Sequence, residues 1–333
     1  MKSARSVLAL VPLVVGCSHL EPSPRPVTGP HDDTLRLHHI QAVGTHNSYH
    51  SDRLFERPEW DYYHLPLWQQ AAFQGVRQFE LDLYWNDDEQ RFDVLHIPAL
   101  DPISNCPTLR GCLWSQRVWS DSAPGHHPIV TLLELKSGSD DDDAVVRARL
   151  DALEDALLDV WGRERLLTPD DVRGEADTLR DALEPDGWPP IAGLRGRSLY
   201  VLHAGGRWRE VYTEGGQDVP GALIFQDAYG DLTVPYAAIH SVNNPYDGRL
   251  ADVVAAGHLV RTRADGDVVE PAAGDTTQRD QALASGAHFI STDFPEPHPE
   301  TGYVVELPEG EPSRCNPVTA PADCLSSWIE IAP

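Results

Sequence analysis

Short apolar runs alternate with stretches of helical periodicity along the chain from residue 39 onward. Several of these runs are rich in β-branched and aromatic residues and place them at every second position, as half-buried strands do. We predict strands over 39–45, 76–85, 92–97, 128–136, 198–204, 222–228, 258–264 and 288–293, while a further short run at 237–242 leaves the strand count open.

Between these runs, apolar residues recur with the period of a helix, most clearly over 143–161. We predict further helices over 65–74, 250–256 and 276–285. Strands that alternate with helices predict a parallel α/β sheet, and about eight such units fit a closed TIM-type (β/α)8 barrel, regular or irregular. An open doubly wound sheet satisfies the same pattern. The sequence has neither a GxGxxG turn nor a P-loop, so nucleotide binding has no support.

The first 17 residues have the form of an export signal. Lys2 and Arg5 precede an apolar run that is too short to span a bilayer. The Val-Val-Gly-Cys sequence that follows resembles a bacterial lipobox, in which Cys17 carries the lipid; an ordinary signal peptide is the alternative. Proline-rich composition predicts a tether over 18–37, which leaves 38–333 for the barrel. We expect an exported protein that is either lipid-anchored to the cell envelope or secreted.

Cysteine usage agrees with export. Without Cys17, four of the five cysteines remain, and an exported chain meets an oxidising environment in which they can pair. Three pairings are possible, and proximity favours Cys106 with Cys112 and Cys315 with Cys324. Zinc binding is the alternative, but the sequence has no CxxC spacing.

Composition excludes some partners. The 333 residues include 52 acidic and 26 basic side chains, a formal net charge of −26. Nucleic acid requires a basic face, and so does electrostatic attachment to an anionic membrane, so neither is expected. With 41% hydrophobic residues the chain has ample material for a folded core, and we expect it to act as a monomer.

Acidic and amide side chains follow or end the early predicted strands. Asn47 comes directly after the first strand, Glu80 and Asp82 share one face of the second, and Glu134 lies near the end of the 128–136 strand. In a barrel, polar residues at the carboxyl ends of strands project into the active-site mouth. Each carboxylate alone has a salt bridge as an alternative. Together the four offer hard oxygen ligands, which suit calcium or magnesium, and calcium is favoured where carboxylates dominate.

Two histidines lie among these oxygen ligands. His46 precedes Asn47, and His96 ends the 92–97 run. Imidazole exchanges protons near neutral pH, so both histidines are candidates for general acid–base chemistry. His203 and His240 lie on later predicted strands, where we expect them to be core histidines.

Seven segments occur in an order that resembles the calcium-dependent phosphoinositide phospholipase C family of bacteria, over about residues 38–325. They are GTHNSY, FELDLYW, VLHIP, LLELK, LVRTRAD, DTTQRDQALASGA and HFISTDFP. The resemblance implies a PLC-like phosphodiesterase TIM barrel. It implies, by motif, that the catalytic pair is His46 and His96 and that calcium is bound by Asn47, Glu80, Asp82 and Glu134.

The activity implied is cleavage of the glycerol–phosphate ester of a phosphatidylinositol-type lipid, with the inositol 2-hydroxyl as nucleophile. Lys136, Arg261 and Arg263 are candidates for binding the phosphate or the ring hydroxyls, and for Arg261 and Arg263 a structural salt bridge to the inward carboxylates is an equally good interpretation. A glycerophosphodiester or sphingomyelin phosphodiesterase on the same barrel is the nearest alternative. A non-catalytic lipoprotein that binds calcium or a sugar is the alternative from a different class.

Overall fold

A computed structural model describes residues 27–51, 57–138, 141–266 and 268–331 of the chain. Cys17 and the predicted signal segment lie outside these residues. The strands are β1 Ile40–Thr45, β2 Val76–Asn86, β3 Arg91–Val94, β4 Ile129–Leu135, β5 Ser198–His203, β6 Phe225–Gln226, β7 Ile239–Ser241, β8 Leu259–Arg263, β9 Phe289–Thr292 and β10 Ser313–Cys315. The helices are α1 Leu67–Phe73, α2 Leu109–Ser122, α3 Asp143–Trp161, α4 Pro169–Arg173, α5 Leu179–Asp186, α6 Gly206–Tyr212, α7 Gly248–Ala255, α8 Val269–Ala273 and α9 Thr277–Ala284.

Eight of the strands form a parallel sheet in the order β6-β5-β4-β2-β1-β9-β8-β7. A parallel bridge between Asp227 and Ile239 joins the two edges of this sheet, so the sheet closes into a barrel. The closed (β/α)8 barrel confirms the predicted fold and removes the open doubly wound alternative. The closure is weak at one place, because β6 has only two residues and β7 three.

The strand prediction was wrong at one element. The run 92–97 is not a barrel strand: its first residues form β3, which pairs antiparallel with β2 as a hairpin. The barrel takes the short run at 237–242 instead, as β7. Both runs have strand composition, and only the pairing partner distinguishes a hairpin arm from a barrel strand.

Apolar side chains fill the half of the barrel interior that lies toward the amino ends of the strands. Inward positions on the parallel strands, at steps of two residues, contribute to one buried cluster that includes Ala42, Val130, Leu132, Leu199, Val201, Phe225, Leu259 and Phe289. Two further clusters lie between the sheet and the surrounding helices. The polar residues therefore occupy the remaining end of the barrel, at the carboxyl ends of the strands.

The described end of the predicted tether is part of the folded domain. Leu35 and Leu37 are buried in the cluster that fills the barrel. The Asp32 carboxylate accepts hydrogen bonds at 2.6 and 2.9 Å from Arg195, a residue that lies just before the start of β5. The segment over 29–37 thus covers the amino ends of the strands, and the boundary between tether and barrel lies before residue 38.

Two disulfides confirm the predicted cysteine pairing. Cys106 bonds to Cys112 and Cys315 to Cys324, with Cα atoms 5.0 and 6.1 Å apart. The first fixes the start of α2, a helix that the sequence analysis did not predict and whose N-cap is Thr108. Among the described residues, no helix is long and apolar enough to cross a membrane.

Candidate active site

Register brings acidic and basic side chains to one level at the carboxyl ends of the barrel strands. Asp82 on β2 lies opposite Glu134 on β4, and Glu134 lies opposite His203 on β5. Since neighbouring residues at one level of a parallel sheet point to the same side, these three side chains face the mouth together. Glu80 lies one inward step deeper on β2.

His46 comes directly after β1 and is held from behind by a buried carboxylate. Its Nδ1 lies 2.8 Å from Oδ1 of Asp293, which follows β9. Arg263 donates to the other oxygen of Asp293 at 3.0 Å, and one of its nitrogens lies 3.4 Å from Nε2 of His46. Burial alone raises the pKa of Asp293, but the charges of His46 and Arg263 outweigh burial and hold this pKa below its ordinary value. The ionised carboxylate thus fixes the imidazole with Nε2 towards the mouth.

A register shift places His46 at this position. The pairing of β1 with β2 shifts between Val43 and Gly44, three residues before the histidine. Glycine fits at position 44 because a Cβ atom there would clash with the Gln78 side chain. Bulges of this kind commonly re-aim a side chain next to an active site.

His96 lies in the loop after β3 and is held in the same manner. Its Nδ1 lies 2.8 Å from Oδ2 of Asp101, and Nε2 of His50 lies 3.0 Å from the same oxygen. The ring of Trp60 approaches His96 edge-on, with centroids 5.8 Å apart. The side chains of His46 and His96 are 19% and 21% exposed, whereas both carboxylates behind them are fully buried. Each histidine thus presents Nε2 to the mouth.

Three of the predicted calcium ligands, Glu80, Asp82 and Glu134, form one carboxylate cluster on β2 and β4. Glu80 is buried and bonds to the Arg261 guanidinium. Burial opposes ionisation of Glu80, but the charges of Arg261 and His46 lower its pKa to about 2. Glu134 accepts from Nζ of Lys136 at 2.7 Å, and the same nitrogen lies 3.2 Å from Asp82. Burial and the Glu134 charge raise the pKa of Asp82 well above its ordinary value.

Asp82 is the strongest sign of a cation in this cluster. Its side chain is fully buried, and its one cationic neighbour among the contacts of the described residues is the Lys136 ammonium, 3.2 Å from Oδ2, while Oδ1 accepts no hydrogen bond from those residues. Burying a carboxylate oxygen without a donor is costly unless a cation offsets the charge. Hard oxygen donors from Glu80, Asp82 and Glu134 therefore fit calcium.

Asn47 adds an amide oxygen to this set. Its backbone is in the left-handed region with φ of 44°, which asparagine adopts more readily than most residues. The amide oxygen accepts from the Tyr49 hydroxyl at 3.2 Å, and the amide nitrogen donates to the Tyr62 hydroxyl at 3.0 Å. Both contacts fix the orientation of the amide, and Tyr49 lies close enough to Asp82 for their charges to interact.

The predicted substrate-binding cations lie in the mouth, but they differ in exposure. Lys136 is 27% exposed and bridges two carboxylates. Arg263 is 12% exposed and supports the Asp293–His46 pair. Arg261 is 2% exposed and bonds to Glu80, Asn243 and Ser291. For Arg261 the structure shows the salt bridge, and a side chain so deeply buried has almost no surface to offer a substrate.

Three residues that support the site, Asp101, Asp227 and Asp293, are absent from the sequence-based site predictions, and His203, predicted as a core histidine, instead faces the carboxylate cluster. Asp293 and Asp101 hold the two histidines, and His203 is held in turn by Asp227, with Nδ1 2.6 Å from its carboxylate. A signal existed for two of them, because the β5 and β6 runs reach His203 and Asp227 at their carboxyl ends, as the β4 run reaches Glu134.

A (β/α)8 barrel with paired histidines and a carboxylate cluster at the carboxyl ends of its strands has the architecture of the phosphodiesterase barrels. The sequence matches the family described as phosphoinositide phospholipase C, Ca2+-dependent, over residues 35–93 and 86–317. The chain belongs to this family. No curated protein matches the sequence significantly.

Solved structures agree in fold. The chain is similar to the calcium-dependent phosphoinositol-specific phospholipase C from Pseudomonas sp., solved with myo-inositol, with a TM-score of 0.61 and 20% identity over 88% of this chain and 99% of that one. It is similar to the Ca2+-dependent phosphatidylinositol-specific phospholipase C from Streptomyces antibioticus, with a TM-score of 0.56 and 20% identity over 78% and 95% of the two chains. Identities this low support the barrel fold alone.

Proposed function

We propose that the protein is a calcium-dependent phosphodiesterase that cleaves the glycerol–phosphate ester of phosphatidylinositol-type lipids. The inositol 2-hydroxyl attacks phosphorus, diacylglycerol leaves, and an inositol cyclic phosphate forms. The observation that carries the proposal is the pair of partly exposed imidazoles, each fixed at Nδ1 by a buried carboxylate, in a barrel whose strands carry a carboxylate cluster at their carboxyl ends. Family membership supports the lipid head group.

Asn47, Glu80, Asp82 and Glu134 would hold the calcium ion. When bound, calcium supplies positive charge that stabilises a phosphate dianion in the transition state and lowers the pKa of a hydroxyl beside it. The buried Oδ1 of Asp82, which accepts no hydrogen bond from the described residues, favours this assignment. Lys136 lies against the same carboxylates and is positioned to bind the phosphate or a ring hydroxyl at the rim.

The two histidines have different tasks. His96, oriented by Asp101, donates the proton that the departing diacylglycerol oxygen needs. His46, held by Asp293 and beside Arg263, hydrogen-bonds a phosphoryl oxygen. When Nε2 of His46 carries a proton and donates it to the phosphoryl oxygen, the proton of the attacking hydroxyl passes to a carboxylate of the cluster; when Nε2 is unprotonated, His46 itself takes that proton.

The membrane location belongs to the same proposal. Cys17 carries a lipid that anchors the exported enzyme to the cell envelope, where its phospholipid substrate is found. The lipobox-like sequence before Cys17 supports this location. Cys17→Ser is expected to leave an active enzyme that no longer sediments with membranes. Metabolic lipid labelling that fails to mark the wild-type protein contradicts the anchor.

An assay with and without chelator tests the proposed reaction. Phosphatidylinositol, glycerophosphoinositol and sphingomyelin are compared as substrates, each in excess calcium and in EGTA. Phosphatidylinositol cleavage is expected to require calcium and to be nearly abolished by Asp82→Asn, since the site then loses a ligand charge. Asp159→Asn, which changes an exposed carboxylate on α3, is the matched control. Full activity after exhaustive chelation contradicts the metal assignment, and preference for another substrate contradicts the head group.

A further inference from the structure

One histidine in the mouth has no task in the proposed reaction. His203 ends β5 and lies level with Glu134 in the parallel register. Glu80, Glu134 and His203 each have one potential ligand atom, and these three atoms lie within 4.8 Å of one another. Three groups that can each donate an electron pair thus converge on a space small enough for a single cation.

The imidazole of His203 is oriented for that space. Its Nδ1 lies 2.6 Å from Oδ2 of Asp227, and the Ser241 hydroxyl lies 3.4 Å from the same nitrogen. When Nδ1–H donates to this carboxylate, the lone pair of the neutral ring is on Nε2. A carboxylate that orients a histidine through its other nitrogen is the usual partner of a metal-binding imidazole, and it raises the basicity of the ligand.

The carboxylate behind the histidine is itself fixed. Asp227 is fully buried, and its other oxygen accepts from the backbone of Tyr229 at 2.8 Å and of Ser241 at 3.0 Å. The ring of His203 therefore has little rotational freedom. Next to Glu134 on the neighbouring strand, the buried Oδ1 of Asp82, which accepts no hydrogen bond from the described residues, gives a second, independent sign that a cation belongs here.

We propose that His203 is a nitrogen ligand of the cation site, so that this site binds Mn²⁺ as well as Ca²⁺. The inference rests on the proposed function, because it extends the same carboxylate site. Calcium prefers oxygen donors throughout. Imidazole nitrogen is a ligand of first-row transition metals, and among these Mn²⁺ also suits carboxylate oxygen, so it is the ion that can use both kinds of donor here. A mixed donor set therefore distinguishes this chain's site from one built of oxygen alone.

The test is EPR spectroscopy of the full chain loaded with Mn²⁺, which does not depend on activity. Continuous-wave spectra give the Kd for Mn²⁺, and pulsed spectra detect nitrogen bound to the ion. We expect a ¹⁴N coupling that becomes a ¹⁵N coupling in protein labelled with ¹⁵N-histidine. His203→Gln is expected to remove the coupling. Asp227→Asn is expected to weaken Mn²⁺ binding by about 10–100-fold, the usual effect of losing such a support.

Matched controls separate this inference from the proposed function. His240→Gln removes a buried histidine on β7, two barrel strands away from β5 and bonded to His258 and the Gly230 backbone, and is expected to keep the coupling. If Mn²⁺ competes with Ca²⁺ in the wild type but shows no nitrogen coupling, His203 is not a ligand, and the proposed calcium site is unaffected. If neither ion binds, or if Asp82→Asn does not weaken binding, the proposed calcium site fails as well.

Discussion

His46 and His96 are each held at Nδ1 by a buried aspartate, so the same arrangement occurs twice in the site. In each pair a fully buried aspartate accepts from Nδ1 at 2.8 Å, which leaves Nε2 for the substrate. The surroundings differ, because Asp293 also binds Arg263, whereas Asp101 also binds the neutral, buried His50. The first pair therefore lies beside a permanent positive charge, as suits contact with a phosphoryl oxygen.

This difference predicts how the two histidines depend on the leaving group. His96→Ala should lose about 10²–10⁴-fold in rate on phosphatidylinositol, because an alkoxide leaves poorly without a proton. A nitrophenyl ester of inositol phosphate needs no such proton and should be partly rescued. His46→Ala should impair both substrates similarly. The check is kcat for both variants on both substrates, and equal rescue of the two contradicts the division of roles.

The buried pair of Glu80 and Arg261 predicts an effect on stability. Arg261→Met leaves the Glu80 carboxylate without its main cation, and breaking a buried pair at one partner typically costs about 3–5 kcal/mol. The free energy of unfolding, measured in urea, should recover in the double variant with Glu80→Gln while activity stays low. Stability unchanged by Arg261→Met would mean that this arginine does not serve mainly as the partner of Glu80.

At the residue scale, spacing predicts some of the site but not all of it. Glu80 and Asp82 stand two apart on one strand, and that spacing alone places them on one face. His203 and Asp227 give a different signal, because they lie at the carboxyl ends of two neighbouring strand runs, but a histidine at the end of an apolar run is also an ordinary core residue. Asp101 and His50 lie outside the barrel strands, where no periodicity fixes which way a side chain points, so only the folded structure shows their contact with His96.

At the scale of elements, the barrel is closed by its shortest strands. β2 and β4 pair over six residues, whereas β6 and β7 share the single bridge between Asp227 and Ile239. The Asp227 side chain compensates by accepting from the Ser241 backbone. The closure thus depends on a side chain that also orients His203.

Native-state hydrogen exchange should detect this weak closure. The amides of Ala228 and Ser241 should exchange faster than those in the middle of β4, because fewer backbone hydrogen bonds must break to expose them. Asp227→Asn should accelerate the Ser241 amide further and leave β4 unchanged. Equal protection along all barrel strands contradicts a weak seam between β6 and β7.

Two of the predicted strands show what a local sequence pattern does not determine. The 92–97 and 237–242 runs are both short and largely apolar, yet the first contributes an arm of a hairpin and the second a barrel strand. Pairing is decided by which edge remains open after the neighbouring strands have packed. That choice involves contacts far apart in sequence, which local composition does not contain.

Across the whole molecule, buried neutral histidines link stability to pH. Burial is the largest cause that lowers the pKa of six of them, from 6.5 to about 3 or 4. They are His64, His126, His127, His240, His258 and His288. Between these folded values and 6.5, the unfolded chain binds protons that the folded chain does not, so stability falls as pH falls through this range.

Each such histidine should lower the free energy of unfolding by about 1.4 kcal/mol for every unit that the pH falls within this range. The loss should begin near pH 6.5, before carboxylates with lowered pKa values are protonated in the unfolded chain. Urea unfolding at pH 7.5, 6.0, 5.5 and 5.0 gives the slope and hence the number of protons taken up. A free energy of unfolding that stays constant between pH 6.5 and pH 5 contradicts the neutral, buried state of these side chains.

Intramolecular attack at a cation-dependent site is the central claim for the molecule, and phosphorus NMR of the reaction products tests it most directly. Phosphatidylinositol in mixed micelles is followed with the full chain, in calcium and in EGTA. We expect a cyclic inositol phosphate to appear before any ring-opened phosphate, and to appear only with calcium. A ring-opened product that forms first, or a cyclic product that forms equally fast in EGTA, contradicts the claim.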